Sequence, residues 1–192
     1  MEQLTFRNMK FREFVRLYYH DMNRDFPKDE IRPFWSIALL LLKKQYLCAG
    51  IWKKGKLIAY ANLLRSNLSP CAMLDYFAVI PSERNGGYGS KFLTALKKYP
   101  LDGIILETEM PEKAVDEADR IKRERRIAFY ERNGARRTNV TGTAFDVSYH
   151  ILYLPIQKDY SDKKIKHELE HIYQLAVPEK MYKKHVHISL NK

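Results

Sequence analysis

The residues with the clearest chemical potential lie in a glycine-rich segment, residues 76–90, with the sequence YFAVIPSERNGGYGS. The segment begins as a β-strand pattern, passes through a turn and continues as a helical pattern. Glycines at positions 86, 87 and 89 leave backbone N–H groups accessible to an anion. A helix beginning near Ser90 adds the positive end of its dipole. The segment therefore predicts a binding site for a phosphate ester.

Two common phosphate-binding motifs differ from this segment. A nucleotide-hydrolysing loop ends in Gly-Lys followed by Ser or Thr, whereas Gly89 is followed by Ser90 and then Lys91. A dinucleotide-binding fingerprint needs a third glycine three residues after the second, and Phe92 occupies that position. Neither motif accounts for the glycines.

The remaining pattern, VxxxxRxxGxG from Val79 to Gly89, resembles the coenzyme A pyrophosphate loop of the Gcn5-related N-acetyltransferase (GNAT) family. A second motif follows at residues 126–135 (RIAFYERNGA), in which Tyr130 precedes a glycine by four residues. This motif is similar to a later helix of the same family, and the resemblance covers residues 47–154. It implies an N-acetyltransferase that uses acetyl-CoA, needs no metal and transfers the acetyl group directly to a primary amine.

The resemblance also assigns the ligand contacts. In the family, the pantetheine arm bonds to the backbone of the strand before the loop, and the N–H of Val79 would polarise the thioester carbonyl. Backbone groups of the loop would hold the pyrophosphate, whereas an ordinary hairpin turn is the alternative interpretation. The residues assigned to coenzyme A are Phe77, Ala78, Val79, Arg84, Asn85, Gly86, Gly87, Tyr88, Gly89 and Ser90.

Acetyl transfer also needs a general acid for the leaving thiolate and a base for the amine. The resemblance assigns the acid role to Tyr130, for which a core aromatic is the alternative. Glu107 and then Glu109 are the candidate bases, because both follow a short apolar strand and share one face; Asp75 is the third option. These acids could instead be solvated or paired with lysine, with water relaying the proton. The chain also carries arginines at 123 and 126, where the family often has asparagine and alanine.

A separate motif, HELEH at residues 167–171, matches the helix pattern with which zinc proteases bind their metal. The apolar stripe of this helix consists of Ile165, Leu169, Ile172 and Ala176. Both histidines therefore fall on the side away from the core, among lysines. A solvated helix face is the favoured interpretation.

Hydrophobic periodicity predicts α/β structure, with a mixed, mostly antiparallel sheet flanked by helices, in agreement with the GNAT acyltransferase fold that the resemblance implies. One GNAT-like domain over 1–192 is expected, with a core at 1–156 and a helix and strand extension at 157–192. The predicted helices lie at 10–22, 29–46, 90–100, 112–132 and 162–176. The predicted strands lie at 47–52, 56–64, 73–80, 104–106, 138–143, 146–155 and 185–190.

Composition sets limits on the class of protein. A chain of 192 residues with 45% apolar and 30% charged residues fits a soluble globular protein of the cytoplasm rather than a disordered or membrane protein. Cys48 and Cys71 lie in apolar surroundings and are expected to be reduced core thiols. The net charge of +11 is attributed to a polyphosphate ligand rather than to nucleic acid, because acids alternate with bases in the basic helices.

The leading hypothesis is therefore an N-acetyltransferase acting on a small-molecule or peptide amine, as a monomer or homodimer without membrane or nucleic-acid partners. The alternative is a non-catalytic sensor or scaffold module that binds coenzyme A. A basic nucleic-acid-binding protein is the third hypothesis. The sequence does not specify the acceptor amine.

Overall fold

Strands and helices interleave along the chain much as the sequence patterns predict. The structure, a computed structural model, describes residues 3–28 and 30–191. Among them, eight strands form a mixed, mostly antiparallel sheet accompanied by helices, which confirms the predicted fold class. The strands are β1 (Leu4–Asn8), β2 (Tyr46–Lys53), β3 (Lys56–Arg65), β4 (Cys71–Val79), β5 (Gly103–Glu109), β6 (Arg136–Ala144), β7 (Val147–Pro155) and β8 (Val186–Leu190).

The helices are α1 (Phe11–Arg16), α2 (Asn23–Asp25), α3 (Phe34–Leu42), α4 (Tyr88–Leu96), α5 (Glu117–Arg132), α6 (Asp162–Ala176) and α7 (Glu179–His185). A π-helical stretch, Leu17–Met22, joins α1 to α2. Two compact units can be distinguished: Met1–Leu64 with Asp75–Lys98, and Arg65–Leu74 with Tyr99–Lys192. The residues of β4 are divided between these units. That the whole chain forms one domain stays a prediction.

The first unit contains strands in the order β1, β2, β3 and β4. The hairpin of β2 and β3 is confirmed, and its turn residues Lys54 and Gly55 both have positive φ, 50° and 76°. Two such residues in succession give the turn that matches the twist of paired strands. Buried apolar residues of β2 and β3, such as Ile51, Ile58 and Leu63, contribute the core that supports the end of β4.

The helices of the first unit differ from the sequence prediction in their bounds. The first predicted helix is present, but its second half is π-helical. The second predicted helix begins at Phe34 rather than near Asp29, a residue that lies outside the described ranges. Its start is set by Pro33, which forms the N-cap, because proline disfavours the helical conformation in the residue before it. That helix ends at Leu42, since β2 already begins at Tyr46. Strand β1, which pairs antiparallel with β2, was not predicted.

The second unit contains strands in the order β4, β5, β7, β6 and β8. The first residues of β4 pair in parallel with β5, from Cys71–Gly103 to Leu74–Leu106. The remaining pairs, β5 with β7, β7 with β6 and β6 with β8, are antiparallel. Gly103 is required where it stands, because a Cβ there would lie 2.1 Å from the Tyr153 hydroxyl. The absence of a side chain at Gly103 therefore makes room for the Tyr153 ring of β7 beside the start of β5.

Capping residues define the helices of the second unit. Asp116 caps α5 by accepting a hydrogen bond from the N–H of Asp119 at 2.7 Å. Just beyond the C-cap, Gly134 has φ of 95°, as predicted for a glycine after a helix end. The predicted helix 162–176 is confirmed as α6, with Ser161 as its N-cap. Helix α7 was not predicted, and β8 follows it directly.

Both cysteines are free and buried. Burial raises the pKa of Cys71 to about 11, with smaller effects from its neighbours, and it also raises the pKa of Cys48. Both thiols are therefore protonated at neutral pH and pack as small apolar groups, in agreement with the sequence prediction. Within the described ranges, no helix has both the length and the apolar character needed to cross a bilayer.

Candidate functional site

The predicted site residues fall into two groups, one in each unit. The first group surrounds the glycine-rich loop between β4 and α4. After β4 ends at Val79, a single 3-10 turn, Pro81–Glu83, leads to Arg84, whose backbone is extended. Asn85 and Gly87 then adopt positive φ of 64° and 72°, and Gly87 is the N-cap of α4. The helix therefore begins at Tyr88, two residues earlier than predicted.

Two glycines of this loop are needed for different reasons. A Cβ at Gly86 would lie 2.6 Å from the Tyr88 ring, so only glycine lets the loop pack on that ring. At Gly87 a Cβ would meet no heavy atom within 4 Å, and the requirement there comes from the left-handed backbone. Open space beside Gly87 leaves the loop accessible, and residues 84–87 are all exposed. The first-turn N–H groups of α4 have no partners within the helix and point out of its N-terminus.

Basic side chains surround the same loop. Lys53 Nζ donates to the Tyr88 hydroxyl at 3.0 Å and lies 3.5 Å from a Glu83 carboxylate oxygen. Lys91 Nζ is 5.1 Å from the centroid of the Tyr88 ring. Arg84 bonds through Nε to the carbonyl of Val79 at 3.2 Å, which holds its guanidinium beside the end of β4. The loop thus combines a helix N-terminus with three cations, an arrangement suited to a phosphate group.

The end of β4 is less buried than its beginning. Phe77, Ala78 and Val79 are half-buried, whereas the first four residues of the strand are buried. The Phe77 ring packs edge-on against Phe92 of α4 with a centroid distance of 5.5 Å. Strand and loop residues predicted to bind coenzyme A therefore lie together in the first unit, on one continuous segment.

Asp75, the third candidate base, belongs to the same unit but is fully engaged. Its carboxylate accepts hydrogen bonds from Arg32 Nε at 3.1 Å and from the Tyr46 hydroxyl at 2.5 Å. Burial and the Asp75 charge raise the pKa of Tyr46 well above its usual value. The network ties β2 and β4 to the segment before α3, which indicates a structural role for Asp75.

The second group of predicted residues lies in the second unit, on β5 and α5. Tyr130 is on α5, one turn beyond Arg126, and its side chain is buried. Burial raises the pKa of Tyr130 to about 12, against a smaller lowering by the Arg126 charge. The hydroxyl therefore keeps its proton throughout the neutral range and is available as a donor. Phe129 and Tyr130 pack edge-on at 5.3 Å, which accounts for the aromatic pair in the motif.

Glu107 and Glu109 share one face of β5, as predicted, but have different partners. Glu109 pairs with Arg123 at 3.0 Å and with Arg126 at 3.3 Å. These two arginines thus anchor α5 to β5, which explains the departure from the family pattern at positions 123 and 126. Glu107 instead accepts a hydrogen bond from the Tyr173 hydroxyl of α6 at 2.8 Å.

The histidines of the HELEH motif point away from the core. Their rings lie 4.2 Å apart between centroids, His167 is exposed and His171 is half-buried. Ile165, Leu169 and Ile172 form the buried stripe, and the predicted fourth member, Ala176, is only half-buried. In the part of the chain that the structure describes, there is no group of three or more metal-ligating side chains.

Several residues of these sites had no signal in the sequence. In the sequence, Lys53 and Lys91 look like ordinary surface lysines. They come close to Tyr88 only when the β2–β3 hairpin and helix α4 are folded. Tyr173 is one of 13 tyrosines, and its helical spacing predicts core packing rather than a bond to Glu107. The pairing of Glu109 with two arginines also depends on how α5 packs on β5.

Comparisons with known proteins agree with these features. A model of the acetyltransferase (GNAT) family matches residues 11–135, which is more than half of the chain. Comparison with curated protein sequences gave no significant match. Many solved structures, by contrast, are significantly similar.

Three of these structures illustrate the similarity. A protein of Bacteroides thetaiotaomicron described as a GNAT-family acetyltransferase is 21% identical, with a TM-score of 0.66 over 88% of this chain and 95% of that one. The ribosomal-protein-S18-alanine N-acetyltransferase of Escherichia coli is 20% identical, with a TM-score of 0.55 over 82% and 97%. Diaminobutyrate acetyltransferase EctA of Paenibacillus lautus, solved with its substrate and coenzyme A, is 14% identical, with a TM-score of 0.58 over 84% and 100%. At these identities the likeness establishes the fold, and the family match adds that this chain belongs to the GNAT acetyltransferase family.

Proposed function

We propose that this chain transfers an acetyl group from acetyl-CoA to a primary amine of a small molecule or a peptide, by direct attack of the amine on the thioester. The observation that carries the proposal is the loop before α4. There Gly87, in the left-handed conformation, begins a helix within the matched family region. A backbone of this shape presents successive N–H groups to one point, which suits a diphosphate.

The residues of the first unit would bind the cosubstrate. The N–H groups of the loop and of the first turn of α4 would donate hydrogen bonds to the pyrophosphate oxygens, and Arg84, Lys53 and Lys91 would offset the charge of those oxygens. The half-buried end of β4 would bond the pantetheine amides through its backbone, with the Val79 N–H directed at the thioester carbonyl. An oxyanion formed there gains a preorganised donor, which stabilises the transition state.

Residues of the second unit would move the protons. Glu107 takes a proton from the ammonium group, so that the neutral amine can attack the carbonyl carbon. A C–N bond forms, the C–S bond breaks, and the sulfur leaves with the electron pair of that bond. Tyr130 gives its phenolic proton to the departing sulfur and regains a proton from the nitrogen, which is positively charged after its attack. The products are the N-acetylated amine and coenzyme A with a free thiol.

Glu107 is the better candidate base of the two on β5. Both carboxylate oxygens of Glu109 are already engaged, one with Arg123 at 3.0 Å and the other with Arg126 at 3.3 Å. Glu107 accepts a hydrogen bond from the neutral hydroxyl of Tyr173, which can remain bonded in either protonation state by turning its hydrogen. We therefore assign Glu109 to anchoring α5 and Glu107 to accepting the proton.

The acceptor is proposed only as a class. The structural neighbours include enzymes described as acting on a ribosomal protein and on diaminobutyric acid. A net charge of +11 attracts an anionic cosubstrate and disfavours a polycationic acceptor. We propose a monoamine or peptide amine, no nucleic-acid or membrane partner, and a monomer or homodimer. Two free buried cysteines fit a reducing compartment such as the cytoplasm.

The test is calorimetric binding of acetyl-CoA to Gly87→Ala, with Gly55→Ala as the matched control. Both glycines have φ near 75°, at 72° and 76°, and a Cβ at either meets no heavy atom within 4 Å. Both substitutions therefore introduce a similar backbone strain, roughly 1–2 kcal/mol. We expect similar losses in Tm, but acetyl-CoA binding weakened at least about tenfold only in Gly87→Ala.

Two outcomes would contradict the proposal. Equal acetyl-CoA affinity in the two variants would remove the phosphate site from the loop. For the unchanged protein, acetyl-CoA at 100-fold its Kd should add about 2.7 kcal/mol of stability, whereas NAD and ATP should add none. Tight binding without thiol release in the presence of any amine of a broad panel would instead favour the non-catalytic sensor.

A further inference from the structure

The tail helix α6 reaches the candidate base through one hydrogen bond. The Tyr173 hydroxyl donates to Glu107 Oε1 at 2.8 Å, and the Tyr173 ring is buried, with 4% of its surface exposed. Because α6 lies beyond residue 135, it falls outside the region matched by the family model. One hydrogen-bond donor to Glu107 is therefore supplied by a part of this chain that the family model does not include.

We propose that Tyr173 is a positioning residue for acetyl transfer, which holds the Glu107 carboxylate in the rotamer and charge state needed to accept the proton of the amine. This inference rests on the proposed function of Glu107 as the base. A hydrogen bond donated to a carboxylate stabilises its charged form. Since the ring of Tyr173 is fixed by burial, the bond also restricts the otherwise flexible side chain of Glu107.

Helix α6 does not need this bond in order to dock. Ile165, Leu169 and Ile172 are fully buried and pack one face of the helix into the second unit. Its first turn is fixed by the Ser161 cap, and Asp162 pairs with Arg136 at 2.8 Å. The Tyr173 hydroxyl therefore contributes only a small part of the stability of the docked helix. Its direct effect is on Glu107, to which it donates a hydrogen bond.

Other charged groups near Glu107 come from the neighbouring elements. Glu109 is the next side chain on the same face of β5, and it is bonded to Arg123 and Arg126 of α5. On β7, Ile151 lies opposite Glu107 and Tyr149 opposite Glu109. Because neither control nor test variant changes Glu109, Arg123 or Arg126, these three charges are the same in every variant compared.

Replacement of Tyr173 by phenylalanine tests the proposal, with Tyr160→Phe as the matched control. Tyr160 also donates its hydroxyl to a carboxylate of the second unit, that of Asp102, in the loop before β5. Both substitutions remove one phenolic donor from one acid and keep the ring. Circular dichroism checks folding, and Tyr173→Met repeats the test if the phenylalanine variant fails to fold, because methionine fills irregular space in a core.

The first measurement is the pH titration of ¹³C-labelled glutamate carboxyls by NMR, with the Glu107 signal assigned by its loss in Glu107→Gln. We expect the midpoint for Glu107 to rise by about one pH unit in Tyr173→Phe, the effect of one lost charge-assisted hydrogen bond. It should not move in Tyr160→Phe. A midpoint that is the same in both variants would overturn the positioning role.

The second measurement is the pH profile of kcat/KM for acetyl transfer. Its acidic limb should move upward in Tyr173→Phe together with the NMR midpoint, while KM for acetyl-CoA stays constant. A moved midpoint with an unmoved limb would overturn the role of Glu107 as base, and the positioning role with it. Absence of thiol release with every amine would overturn the proposed function itself, whereas an active enzyme with an unmoved midpoint would overturn only the role of Tyr173.

Discussion

Burial of the Tyr130 side chain bears on the acid role that we propose for it. The phenol ionises only with difficulty when it loses contact with water, so burial raises the pKa of Tyr130 to about 12, although the Arg126 charge opposes the change. The hydroxyl therefore remains a donor at every pH at which the protein is folded and active. In the proposed mechanism, a hydroxyl that holds its proton until the sulfur departs can protonate that sulfur without a pH-dependent loss of its own in the neutral range.

We predict that Tyr130→Phe lowers kcat by about a hundredfold or more, the usual contribution of a positioned acid, and leaves the affinity for acetyl-CoA unchanged. The matched control is Tyr153→Phe, which removes the hydroxyl of another buried tyrosine of the second unit. That hydroxyl donates to the backbone carbonyl of Lys158 at 2.9 Å, so its loss should cost stability but not turnover. Steady-state kinetics and calorimetry separate the two effects, and an unchanged kcat in Tyr130→Phe would remove the acid role.

At the scale of elements, one ion pair joins the edge strand β1 to helix α1. Arg7 of β1 makes two hydrogen bonds to the Glu13 carboxylate, at 2.8 and 2.6 Å. Glu13 also accepts from the N–H of Lys10 at 2.8 Å, as the third residue of the helix should. The hydrogen bond from Arg7, followed by that from Lys10, lowers the pKa of Glu13 from 4.5 to about 2.

This lowered pKa predicts how the contact depends on pH. A carboxyl whose folded pKa is below its unfolded pKa stabilises the protein above the unfolded value and loses that contribution as the pH falls to the folded value. We expect Glu13→Gln to reduce Tm at pH 7, and the difference from the unchanged protein to shrink between pH 5 and pH 2. Thermal melts at each pH measure this difference.

Glu179→Gln is the control for that series, because Glu179 forms an exposed pair with Lys183 at 2.6 Å. An exposed pair contributes little, so its substitution should leave Tm nearly unchanged at every pH. A Glu13→Gln difference that persists at pH 2 would mean that the carboxylate charge is not the source of the stabilisation.

The elements that were predicted correctly carry strong local signals. Gly55, Gly87 and Gly134 stand where the backbone turns left-handed, and Pro178 follows the end of α6. Strand β1 and helix α7 were missed because such short segments have little periodicity. Strand β1 also depends on its pairing with β2, which is distant in sequence. The second helix was predicted to start too early because the boundary at Pro33, which is its N-cap, was not taken into account.

The site could be predicted only in part for a related reason. The loop before α4 is contiguous in sequence, so its glycines and Arg84 could be proposed as phosphate-binding residues from spacing alone. Side chains that meet only when helices and strands pack together could not be paired from the sequence. Glu107 and Tyr173 are 66 positions apart, and the ion pairs of Glu109 with α5 span 17 positions for Arg126. Such contacts depend on the registers of β5 and of the helices that pack on it.

At the scale of the whole molecule, the dominant property is the positive charge. A formal net charge of +11 repels cations and concentrates anions near the surface. Three of the responsible side chains, Lys53, Arg84 and Lys91, lie around the loop before α4. Part of the positive charge of the protein therefore lies where it would attract a ligand that carries several phosphate groups.

Salt should weaken the binding of acetyl-CoA for this reason. Raising NaCl from about 50 to 200 mM shortens the screening length to below 10 Å, so we expect the Kd for acetyl-CoA to rise several-fold. Acetyl-pantetheine, which carries the same thioester arm without phosphates, should bind more weakly and with little dependence on salt. Arg84→Ala should reduce the salt dependence for acetyl-CoA, because one fewer cation then interacts with the phosphates. Calorimetry at the two salt concentrations measures both ligands, and equal salt dependence for acetyl-CoA and acetyl-pantetheine would show that the charge of the protein serves some other partner.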